Sequence, residues 1–206
     1  MIKLAQSRGG QRAKFIGGVD AAALPPELRC ASFDLAYSFH CLHWIPASAF
    51  PDVMGGFASA LRHSGRLVVT MHGGNSMQPL MDEIIACLSE SGYDPTTAWK
   101  GLTRFSAAEL ETVLSDAGFH PPDDAAHMVR LVPFRPSDGG TVMHGVSGVR
   151  ARIEGAWGPM LTVPPPDGLW AEVAGRYARR HGVNDEIAGD VPLRCEVLHV
   201  DAVRTV

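Results

Sequence analysis

At 206 residues, with 46% hydrophobic and 19% charged residues, the chain has the composition of a soluble globular protein of one domain, or one domain carrying a subdomain. A formal net charge of −4, only three lysines (Lys3, Lys14, Lys100) and scattered arginines leave no basic footprint for nucleic acid. No apolar run approaches the roughly 18 residues of a membrane span, residues 1–6 lack a signal-peptide core, and Cys30, Cys41, Cys87 and Cys195 share no Cys-x-x-Cys spacing. The expectation is a cytoplasmic protein with no membrane segment and no disulfide framework.

Residues 2–12 read as a short helix with Ile2, Leu4 and Ala5 on its apolar side, and residues 14–20 as a brief strand ending at Asp20. After a loop punctuated by Pro25-Pro26, residues 32–39 form a short apolar strand of the buried parallel kind. Phe50, Val53, Met54, Phe57, Ala60 and Leu61 recur at helical spacing, with Ser48 as cap and Pro51 in the first turn. His63-Ser64-Gly65 then stops the helix, and residues 66–71 form a strand ending at Gly73-Gly74. Met77, Leu80, Met81, Ile84, Ile85 and Leu88 make one continuous helical stripe after an Asn75 or Ser76 cap.

Ser106-Ala107-Ala108-Glu109 is a capping box that opens a helix stopped by Gly118. Residues 127–134 read as a strand. Residues 136–168 are rich in glycine and proline, with one possible short helix around 147–157, and read as a cap inserted over the sheet. A helix over 169–180 and a strand over 194–200 close the pattern. Strands alternating with helices predict an α/β protein with a parallel sheet.

The segment from Phe33-Asp34-Leu35 to Leu42-His43-Trp44-Ile45, followed by a helix and then Leu61-Arg62-His63-Ser64-Gly65-Arg66-Leu67, resembles the class I S-adenosylmethionine-dependent methyltransferases in order and spacing. Phe105-Ser106, Glu109-Leu110, Leu114 and Ala117-Gly118-Phe119 are similar to a later helix of that family. The C-terminal helix and strand look like the trans-aconitate and malonyl-carrier-protein methyltransferase branch. The resemblance implies a Rossmann-like methyltransferase sheet, a small-molecule methyl acceptor (a carboxylate is one candidate) and S-adenosylmethionine as cofactor. It places Asp20 and Ala21 at the adenine ring, and Ser38, Phe39 and His40 at the sulfonium end. That placement agrees with the rule that open α/β sheets bind ligands beyond the carboxyl ends of their strands.

The family's first strand ends in a Gly-x-Gly-x-Gly loop, where only glycine lets backbone approach the cofactor closely. None of the 22 glycines here stands in a Gly-x-Gly. The expectation is a chain truncated at its N-terminus, without the first two strands, so that cofactor binding and activity are in doubt. Strand 33–39 would then carry an apolar, unpaired edge open to self-association. The implied organisation is a partial Rossmann-like core over 1–135, a cap over 136–168, and a closing helix and strand over 169–206. A non-catalytic remnant that depends on a partner is the competing reading.

Among single residues, His43 is either a general base or a loop histidine packed beside Trp44 and touching substrate. A carboxylate acceptor is already ionised and needs no base, which favours the second role. Trp44, Arg150 and Arg152 are candidate substrate contacts, the arginines through bidentate pairing with a carboxylate. His40-Cys41-Leu42-His43 has the residue types of a metal site, but no third ligand group stands near it in sequence, so no metal is expected.

Overall fold

The computed structural model describes residues 14, 16–98, 102–134, 142–193 and 195–205. The helix expected over 2–12 lies outside these residues. The strand expected over 14–20 is not formed by its described part: residues 16–20 are exposed loop. Gly18 sits at φ +74°, off the extended range. Asp20 starts a turn instead, its Oδ1 accepting from the Ala22 amide (3.0 Å) and its carbonyl from the Ala23 amide (3.1 Å).

Strand β1 (Phe33–Phe39) lies parallel to β2 (Leu61–His72), joined by two 3-10 turns and helix α1 (Phe50–Ala60). Ser48 falls inside the second turn (Ala47–Ala49) and does not cap the helix, whose N-cap is Ala49. β2 starts earlier than expected because the chain leaves α1 directly into extended backbone at Leu61. His63-Ser64-Gly65 becomes a register shift within the pairing, between Phe33 and Leu35, with Ser64 at φ +61°. Gly65 is required there, since a Cβ would stand 2.8 Å from the Arg62 carbonyl.

Helix α2 (Gln78–Glu90) begins after Met77, not Asn75 or Ser76, and Met77 has φ +56°. A single turn, α3 (Pro95–Ala98), precedes α4 (Ala107–Asp116), whose Ser106–Glu109 capping box is fully formed. Two strands follow, β3 (Phe119–His120) and β4 (Val129–Phe134). The stretch read as a cap holds β5 (Val142–His144) and a thirteen-residue helix, α5 (Gly145–Trp157). Then come α6 (Leu169–Arg179), β6 (Asp190–Pro192) and β7 (Cys195–Arg204).

Strand β7 is the middle of the main sheet. It runs antiparallel to β2 on one side, and antiparallel to β4 and β3, end to end, on the other. On one face Leu67, Val69 and Met71 of β2 alternate into a core with Leu198, Val200 and Ala202 of β7. Phe50, Val53 and Met54 of α1 and Leu110 and Leu114 of α4 close that core from above. Each of these side chains other than Ala202 contributes roughly 1.5–3 kcal/mol on full burial. A second core binds α2, α5 and α6 to the β5–β6 ribbon, through Leu80, Ile84, Val149, Ile153, Trp170 and Tyr177.

At the other end of the sheet β1 pairs only with β2 among the described residues. Phe33, Leu35, Tyr37 and Phe39 alternate onto one exposed face, with Tyr37 at 66% exposure. This is the open apolar edge strand that the sequence predicts. Among the described residues no helix is long and apolar enough to cross a membrane.

Candidate functional site

The two parallel strands end side by side. Phe39 pairs with Thr70, and the next residue, His40, donates its amide to the Thr70 carbonyl (2.7 Å). His40 turns the chain at φ +52°, a left-handed conformation uncommon for a residue with a side chain. The chain then enters the turn Leu42–Trp44, which buries His43 at 2% exposure and leaves Trp44 outside. β2 ends at His72, whose amide donates to Nδ1 of His43 (3.4 Å).

A cavity of about 380 Å³ opens at this end of the strands, within the size range of small-molecule sites. His40, His43, Trp44 and His72 line it together with Arg152, Ala156 and Trp157 of α5 and Cys195 and Val197 of β7. Trp44 and Trp157, both on its lining, have ring centroids 6.3 Å apart. Helix α5 is thus both a core helix, through Val149 and Ile153, and a wall of the site.

Burial governs the protonation of the two inner histidines. The pKa of His43 falls to about 3, through loss of hydration first and then the neighbouring His72 and His40 rings. His72 falls to about 4, through burial, His40 and the Arg104 guanidinium. Both imidazoles are therefore neutral near pH 7. His72 is fixed further by Nδ1, which lies 3.0 Å from Ser76 Oγ, while that oxygen accepts from the Glu196 amide (3.0 Å). Burial also pushes the Cys195 thiol up, against the opposing effects of Ser76 and Arg152, so it is not a thiolate nucleophile at neutral pH.

Of the residues singled out in the sequence, His40, His43, Trp44 and Arg152 meet at this cavity. Arg150, two positions from Arg152 on α5, lies apart, in an exposed pair with Glu154 (3.5 Å). Ser38 and Phe39 belong to the end of β1, just before His40, and Asp20 and Ala21 to the turn before β1. None of these four lines the cavity. His72, Trp157 and Cys195 are among the lining residues that sequence reading missed. His72 was open to detection as the last residue of a strand before Gly73-Gly74, at a carboxyl end where such sheets bind ligands.

No protein-family model matches the chain, and no curated protein matches it. Solved structures do. The [4+2]-cyclase SpnF is 17% identical at a TM-score of 0.52, covering 100% of this chain and 62% of its own. The YcgJ protein of Bacillus subtilis is 15% identical at 0.55, covering 99% and 76%. A Bacillus halodurans protein described as a methyltransferase is 12% identical at 0.52, covering 95% and 79%. This chain thus spans under two thirds of the cyclase's length. At such identities the likeness is one of architecture, and the architecture is the class I methyltransferase fold.

Proposed function

We propose that the chain is a homologue of the S-adenosylmethionine-dependent methyltransferases that binds a small carboxylate-bearing acceptor in the cavity beyond β1 and β2. The observation that carries this reading is Arg152, which α5 brings to the lining of the same cavity as His43 and Trp44. A guanidinium there can hold a carboxylate by two charge-assisted hydrogen bonds. Trp44 and Trp157 offer flat apolar faces that orient the rest of the molecule and exclude water. His43, neutral and buried, packs the wall; an ionised carboxylate needs no base.

The residues of this chain fit only part of S-adenosylmethionine. Asp20 and Ala21 would stand at its adenine, and Ser38, Phe39 and His40 at its sulfonium. No Gly-x-Gly in the sequence offers close backbone to its ribose and amino-acid part, and among the described residues Asp20 spends one carboxylate oxygen on its own turn. No step of transfer is therefore assigned to these residues. The fold itself carries more than one chemistry, as the cyclase among its neighbours illustrates.

Calorimetry on the 206-residue protein tests the reading, with S-adenosylmethionine and a panel of small mono- and dicarboxylic acids titrated separately. Acid binding weakened by Arg152→Ala, together with methyl transfer from labelled S-adenosylmethionine to that acid, supports it. Absence of both cofactor and acid binding sinks it.

A further inference from the structure

Three imidazoles on the lining of the cavity converge from two different strand ends. His40 and His43 come from the chain leaving β1, and His72 from the last position of β2. One nitrogen from each lies within 4.8 Å of the others. Ring centroids stand 4.5 Å apart for His43–His72, 5.6 Å for His40–His72 and 6.3 Å for His40–His43. Three nitrogens bound tetrahedrally at the usual zinc distance of about 2.0–2.1 Å stand roughly 3.4 Å apart. Closing the observed cluster to that size needs movements of about 1.5 Å at most, within reach of side-chain rotation at the exposed His40.

We propose that His40, His43 and His72 form a zinc-type divalent cation site whose fourth coordination position opens into the cavity. Three protein ligands with one open position is the arrangement of zinc sites that act on ligands rather than brace a fold. The ligand type also suits the cation, since imidazole selects zinc and its transition-metal neighbours over magnesium or calcium.

The surroundings supply what such a site needs beyond its ligands. Ser76 Oγ lies 3.0 Å from Nδ1 of His72, which holds that ring in place and leaves its other nitrogen for the ion. Ser76 is in turn fixed by the Glu196 amide. Ligation through either nitrogen of His43 disturbs only the His72 amide contact, which at 3.4 Å is long. The left-handed backbone at His40 is local strain at the position where the third ring must turn inward. The open position would take an oxygen ligand, water or the carboxylate of a molecule in the cavity, on the same cavity as Arg152. The site does not depend on the methyltransferase reading, because it needs neither cofactor nor acceptor.

The test uses the full chain, stripped with a chelator and titrated with zinc near neutral pH against a chromophoric competitor. One equivalent is expected per chain. His72→Ala should weaken it by more than the roughly 10–100-fold that an outer partner is worth, and Ser76→Ala by about that amount. His40→Gly is the safeguard against misfolding, since it removes a ligand at an exposed position where φ +52° favours glycine. It should weaken binding while leaving the circular dichroism unchanged. Cobalt in place of zinc should give the visible bands of a tetrahedral nitrogen and oxygen site. Zinc binding no tighter than in the His40→Gly and His72→Ala variants overturns the proposal. So does cobalt absorption of the thiolate charge-transfer kind, which would place the ion on cysteines.

Discussion

The rings of His43 and His72 meet edge to face, with centroids 4.5 Å apart, although 29 positions separate the two residues in the chain. One comes from the turn after β1 and the other ends β2, so their meeting follows from the parallel register of those strands.

That contact sets a pH dependence. Both folded pKa values, about 3 and about 4, lie below the ordinary histidine value of 6.5. As pH falls, the unfolded chain takes up these protons first, so the stabilisation is complete above about 6.5 and is lost as pH falls through about 4 and then 3. In chelator-treated protein, imidazole resonances of these two residues should hold the neutral form down to about pH 5. The urea midpoint should be lower at about pH 5 than at about pH 7. Rings that titrate near 6.5 would remove the burial argument.

Arg152 and Arg150 offer an internal control on one helix. Arg152→Ala should weaken a bound carboxylate by about 1.5–3 kcal/mol, the range for hydrogen bonds to charged groups, or roughly 10–150-fold. Arg150→Ala should change that affinity by less than about twofold and stability by less than about 0.5 kcal/mol, as its partner Glu154 is an exposed i,i+4 pair. Equal losses from both variants would mean that general surface charge, not the cavity, attracts the ligand.

Gly73 follows His72 at the end of β2, and a Cβ there would press into the Leu198 side chain and stand 3.1 Å from the Phe105 carbonyl. Leu198 is fully buried in the sheet core and cannot swing away. Gly73→Ala should therefore destabilise the fold by about 1–3 kcal/mol, seen as a lower midpoint in urea with an unchanged slope.

The exposed face of β1 predicts concentration-dependent behaviour. Tyr37→Lys places a charge on an open edge strand, where charge discourages pairing with another chain. Sedimentation velocity should show less self-association than in the parent chain, with the thermal midpoint within a few degrees. Identical sedimentation of the two proteins would mean that this face is not where chains meet.

Much of the fold was legible because its elements declare themselves locally. The β1 strand, the stripe of α2 and the Ser106–Glu109 box each rest on neighbours within one turn or one strand. The expected strand over 14–20 failed because a strand is stabilised by its pairing, and among the described residues no strand lies beside 16–20. The Asn75 or Ser76 cap failed for a different reason: the Ser76 hydroxyl is taken by His72 and the Glu196 amide, 120 positions away. At the site, His43, Trp44 and His40 were readable as one motif. His72 and Trp157 were not, since only the sheet register and the docking of α5 bring them near. Composition also undersold residues 136–168, where glycines at 145, 148 and 155 sit within a helix held by tertiary packing.

The position of β7 has a consequence for how the protein is made. A ribosome releases β1, β2, α1 and α2 long before it reaches Cys195–Arg204, yet that segment is the strand against which β2, β3 and β4 all pair. Until it emerges, β2 has one vacant side and β4 has no partner among the described strands. Closure of the sheet is thus a late, long-range event, of the kind that slows folding. The nascent chain would pass its synthesis with open strand edges, in need of chaperone shelter until its central strand arrives.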